Sequence, residues 1–137
     1  MRIIRDDELI TITFDEKRSV LETKWKEQSF QEVEISTTRE IIKEIAESLA
    51  KYHPDYYLAD QTNRGVIYTV DIQQWVAETL VIGCHRGNVR KAAIIQPADF
   101  IVSLSNEQTI NEVKNSTTAY QNFTSRAEAL DWLGITE

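Results

Sequence analysis

The sequence predicts an α/β domain: a mixed sheet of four or five strands packed with about four helices. Three observations carry this expectation. Residues 57–60 form a short run that is apolar on both faces, as a buried strand is. They lead through a polar loop into residues 71–83, which open with Asp71 as N-cap and Gln74 as its capping-box partner and reach Gly83 where a left-handed C-cap belongs. The same alternation of apolar run and capped helical segment recurs along the chain, and a strand feeding a helix is the unit of layered α/β domains.

At 137 residues the chain reads as one domain, 1–137, large enough to bury roughly two-thirds of its unfolded surface. Apolar residues make up 42% and charged residues 27%, a balance that excludes a disordered chain. With 15 basic and 22 acidic residues the formal charge is -7, which argues against a surface that tracks nucleic-acid phosphates. Cys84 is the only cysteine, so no intrachain disulfide can form and a reducing, cytoplasmic location is expected. His53 and His85 are the only imidazoles, too few beside one thiol to build a Cys/His zinc site, and no metal or cofactor is expected. No signal-peptide pattern and no apolar stretch near 18 residues is found, so no membrane insertion is expected.

Ile3 and Ile4 begin an apolar run that Arg5-Asp6-Asp7-Glu8 interrupts. Residues 9–14 then alternate, with Ile10, Ile12 and Phe14 on one face, and after a polar turn at 15–18 the phase resumes with Leu21, Thr23 and Trp25. Two alternating runs and a short connection make an antiparallel hairpin. The charges around Trp25 put it at a strand end or sheet edge, as a core or dimer-edge residue rather than a base-stacking platform. Residues 28–35 are too irregular to assign. Thr37 and Glu40 then cap a helix over 37–51 with Ile41, Ile42, Ile45 and Leu49 on its apolar side. Pro54 halts it and biases His53 toward extended geometry.

Asp60 marks the carboxyl end of the central strand, the place where ligands and partners of open α/β sheets gather. The loop 61–65 holds Thr62 and Arg64 but lacks the repeated glycines of a nucleotide-binding turn. Residues 66–70, with Tyr68 and Thr69, line this loop or form an extended arm. The positive run 85–91 reads as a solvated turn or, more sharply, as an anion or protein-contact patch. Residues 92–95 make a second buried strand, parallel to the first because a helix intervenes. Residues 97–104, with Phe100 and Ile101, are a helical turn or a surface arm. Ser105 and Gln108 start a helix over 106–115, residues 120–123 are an edge strand, and Ser125 and Glu128 cap a last helix over 125–133 that Gly134 stops.

This order of elements resembles the STAS-like family, the fold of bacterial anti-sigma-factor antagonists, and within it the small stand-alone bacterial members. The residues that carry the likeness are the opening 9–25 with its Phe14-Asp15-Glu16 turn, the strand end Leu58-Ala59-Asp60, and the final Phe123 with 128–133. The resemblance implies a partner-switching protein phosphorylated on a serine after the central strand. This chain has no serine between Ser48 and Ser103, and neither Thr62 nor Thr69 stands in the family's pattern. The expectation is therefore a STAS-like fold without that serine switch.

The leading functional expectation is a non-catalytic protein-interaction or regulatory module, a homodimer with a possible further protein partner. Its surface is expected around Asp60, Thr62, Arg64, Tyr68, Thr69 and Trp75, with Phe100 on the arm. The dimer is motivated by large apolar residues at Trp25, Tyr68 and Phe100, places where a monomer need not bury them. A second expectation is a small apolar or acyl ligand held between the sheet and the arm 97–104. The third is an enzyme acting on an anionic substrate through Asp60, Asp71, His85 and Arg86, whose spacing matches no catalytic template.

Overall fold

The computed structural model describes residues 1–26, 35–63, 70–96 and 118–135. The alternating opening gives an antiparallel meander of β1 (Arg2–Asp6), β2 (Ile10–Asp15) and β3 (Val20–Trp25). Ile10, Ile12 and Phe14 of β2 are buried, and the intervening Thr11, Thr13 and Asp15 are half-buried on the other face. β3 then pairs in parallel with β4 (Tyr56–Asp60), β4 with β5 (Lys91–Ile95), and β5 with β6 (Ala119–Phe123). The result is a six-stranded sheet in which spatial order is chain order, one strand more than the five allowed for.

The additional strand is β1. Its charges and its exposed Ile3 conceal any alternation, and both are tolerable only because β1 is an edge. A bulge between Ile3 and Arg5 interrupts its ladder. Asp7 fixes the turn into β2: its carboxylate accepts the amides of Leu9 and Ile10 at 2.8 and 2.9 Å and the Arg5 guanidinium at 2.6 Å. The expectation of a central buried strand holds, since β4 lies between β3 and β5 with Tyr57, Leu58 and Ala59 buried.

α1 (Ile35–Tyr52) and α2 (Val70–Gly87), 18 residues each, lie side by side on one face. α3 (Arg126–Leu133) covers β4, β5 and β6 on the other face. Three helices are found among the described residues; the expected helix at 106–115 and the arm at 97–104 lie outside them. Thr37 and Asp71, expected as caps, both sit inside a first turn, because each helix begins one or two residues earlier.

Gly83 does not end α2. A Cβ there would come within 2.9 Å of the Ala46 Cα, and one at Gly87 would collide with the Leu49 carbonyl oxygen. The two glycines, one helical turn apart, serve the close approach of α1 and α2. The stop is Asn88, at φ +56°, with its N–H donating to the His85 carbonyl at 3.2 Å and the Val89 N–H to that of Cys84 at 3.0 Å. This is the Schellman arrangement with asparagine in the usual glycine position. His85 and Arg86 therefore occupy the last turn of α2 rather than a solvated turn, where cations suit the helix dipole. His53 is likewise not extended: at φ +49° it ends α1, its N–H donating to Leu49 at 3.3 Å. α3 ends as expected, with Ser125 as N-cap and Gly134 at φ +77°.

Two apolar clusters result. Between the sheet and α1/α2 lie Ile10, Ile12, Leu21, Ile41, Ile45, Leu49 and Tyr57, together with Trp25. Trp25 is 4% exposed, so it is a core residue and supplies no apolar surface for a dimer. Beneath α3, Val20, Leu58, Ala93 and Ile95 meet Ala129, Leu130 and Leu133.

Candidate functional site at the carboxyl ends of the parallel strands

In a parallel sheet every strand ends on the same edge, so side chains distant in sequence are gathered there. β4 ends in Asp60 and continues to Gln61, β5 runs into Gln96, and β6 ends in Asn122-Phe123. Asp60, Gln61 and Gln96 are all buried although polar. The pleat separates them: Asp60 shares the α3 face with its register partners Lys24 and Ile95, and Gln61, the next residue, faces α2.

Buried polar groups of this kind require partners. The Gln96 side-chain amide donates to Asn122 Oδ1 at 3.1 Å, and the backbone amides of Gln61 and Gln96 donate to the Ile95 and Phe123 carbonyls, each at 2.8 Å. Asp60 Oδ1 accepts the Thr62 amide at 3.0 Å, an Asx turn that bends the chain away from the sheet. The edge is thus a cross-linked polar ledge. Beneath it, between α2 and β4–β6, lies a cavity of about 40 Å³ lined by Gln61, Tyr57, Cys84, Leu80 and Tyr120. That volume holds a water or two and no acyl chain. Burial pushes the Cys84 thiol up to about 12, against a smaller opposing pull from the Tyr120 hydrogen bond, so it is not a thiolate at neutral pH.

Of the residues singled out in the sequence, Asp60 and Thr62 come together on this edge, Asp60 buried and Thr62 exposed. Trp75 is held elsewhere, half-buried against the core under α1 and α2 with the Arg39 guanidinium 5.6 Å from its ring centre. Arg64, Tyr68, Thr69 and Phe100 lie outside the described residues. Asp71 and His85 stand at opposite ends of α2, about 21 Å apart along its axis. Gln61, Gln96 and Asn122 belong to the ledge but were not singled out. Their one sequence signal is a polar residue at or just after the end of a short strand-like run.

Among the described residues no group of three metal-ligating side chains is found, and no helix is long and apolar enough to cross a membrane. No family model, curated protein or solved structure matches this chain.

Proposed function

We propose that this protein is a small non-catalytic interaction or regulatory module of the cytoplasm, STAS-like in kind and acting as a two-fold dimer. The observation that supports this reading is the ledge at the carboxyl edge of the parallel strands. Its polar side chains are committed to one another and to the backbone, as in the Gln96–Asn122 and Asp60–Thr62 bonds, so it presents a fixed surface rather than a poised reactive group. Fixed surfaces bind with little ordering cost, which favours recognition. Thr62, exposed at its rim, and the segment leading to α2 form the proposed contact region. Serine phosphorylation does not switch it, since the segment between the central strand and α2 contains no serine.

Light scattering across micromolar concentrations tests the assembly. The expected mass is twice 15.8 kDa, with amide exchange slowed in residues 61–70 on association. A mass of one chain at every concentration removes the dimer. Stoichiometric phosphate on the protein isolated from its own cell would remove the claim about switching.

A further inference from the structure

α1 and α2 pack one side into the core and turn the other to solvent. Among the described residues Met1, Ile3 and Ile82 are the large apolar side chains left exposed, and Ile82, at 56%, is the one on a helix. A single exposed isoleucine is ordinary. The setting of Ile82 is less so. It borders a groove of about 210 Å³ between the helices, lined by Ala46 and Gly83 where their close approach admits only small residues. Lys43 and Glu47 of α1 and Arg86 of α2 line the same groove, and none of the three is in an ion pair among the described residues.

The charges along α2 are arranged about Ile82. Gln74, Glu78, Ile82 and Arg86 are all exposed and spaced by four, so they form one ridge along the helix. Glu78 stands one step before Ile82 and Arg86 one step after it. Gln74 Nε2 donates to Glu78 Oε1 at 3.0 Å and keeps that carboxylate on the ridge. Opposite charges equidistant from an apolar centre are self-complementary when the pattern is turned end for end.

We propose that this ridge is the two-fold contact of the protein with a second copy of itself. The inference rests on the dimer reading above and gives that dimer its axis. Antiparallel α2 helices crossing at Ile82 set Glu78 of each chain opposite the partner's Arg86, two ion pairs flanking an apolar centre. Each Ile82 then has a groove of the other copy beside it, the ridge-and-groove match that helix packing requires. A partner of one charge sign fits this face less well, because Glu47 and Glu78 are interspersed there with Lys43 and Arg86. Helices of 18 residues are ~27 Å long, and a pair of them offers on the order of 1,000 Å² to a two-fold contact, the size of a weak dimer. Dissociation in the micromolar range is expected.

Sedimentation equilibrium of the full chain is the test. Glu78→Arg and Arg86→Glu, each at an exposed position, set like charges opposite one another twice in the dimer and should each weaken it at least about tenfold. The double variant Glu78→Arg/Arg86→Glu exchanges the partners of both pairs and should bring the dissociation constant back to within about threefold of wild type. Such recovery is what a mere loss of helix stability would not give. The mass of one chain for wild type at every concentration would remove the dimer itself. A wild-type dimer that both single variants leave unchanged, or that the double variant fails to restore, would overturn the ridge alone and put the contact elsewhere.

Discussion

The two halves of the sheet solve the problem of burial differently. In the parallel half, β4 and β5 are enclosed by α2 on one face and α3 on the other, and every residue from Tyr57 to Asp60 is buried. In the antiparallel half, β2 packs one face into the cluster beneath α1 and α2, and its residues alternate between buried and half-buried. The difference teaches that a strand's sequence pattern records how many layers cover it, not whether it is central to the fold. The halves are joined above the sheet by the seam of α1 and α2, where Gly83 and Gly87 meet Ala46 and Leu49.

If double coverage is what makes the parallel half rigid, truncation there has the largest effect. Leu58 is wholly buried under α3, and Leu58→Ala should cost about 2–5 kcal/mol in urea unfolding, through lost transfer energy and the cavity left behind. A variant as stable as wild type would show that α3 is not a true second layer. The seam comes next. Gly87→Ala places a methyl group against the Leu49 carbonyl, and overpacking of about 1–3 kcal/mol should exceed the roughly 1 kcal/mol that alanine gains in a helix. A rise in Tm for this variant would mean that the helices separate freely and the halves are not coupled through them.

Effects should shrink toward the antiparallel edge. Asp7→Ala removes the bonds that hold the β1–β2 turn and should cost on the order of 1 kcal/mol. Burial works against the charged form of Asp7, but the amides of Ile10 and Leu9 and the Arg5 guanidinium outweigh it and hold the carboxyl below its usual range. A depressed folded value means stability that is present above about pH 4 and lost as the pH falls through that folded value. Acid unfolding of Asp7→Ala should accordingly lack that part of the decline seen in wild type. Smallest of all, Thr13→Ala on the half-buried side of β2 should change the stability measured in urea unfolding by no more than about 0.5 kcal/mol. A larger loss would show that something covers this face.

Much of this architecture is legible in the sequence, and for identifiable reasons. The hairpin of β2 and β3 is written in period two because one face is wet; α3 is written in Ser125 and Gly134 because its caps are local. Features that depend on remote partners are not legible. Gly83 looks like a helix stop until Ala46 is placed against it, and Asn88 and His53 give no glycine signal for the left-handed turns they make. Trp25, flanked by charge, reads equally as a core or a dimer-edge residue, and only the packing of the cluster it joins makes it core. Of the candidate site, Asp60 at its strand end was readable, since strand ends are where open sheets bind. The pairing of Gln96 with Asn122 was not, nor was the bond of Arg126 to Glu22 across 104 positions of chain.

The order of the strands has a consequence for how the molecule comes into being. Because β1 to β6 stand side by side in the order in which they are synthesised, each new strand adds to an edge that already exists. No strand must be threaded between two that have paired. The antiparallel meander closes first through contacts between near neighbours, whose loop-closure entropy is small. β4 then arrives after α1 and β5 after α2, at the roughly 5–20 residues per second of chain elongation. Until β6 and α3 have emerged, the open edge is the newest strand, and the apolar face of Leu58, Ala93 and Ile95 stays bare. The arrival of β6 and α3 is thus the step at which the nascent chain covers the apolar face formed by Leu58, Ala93 and Ile95.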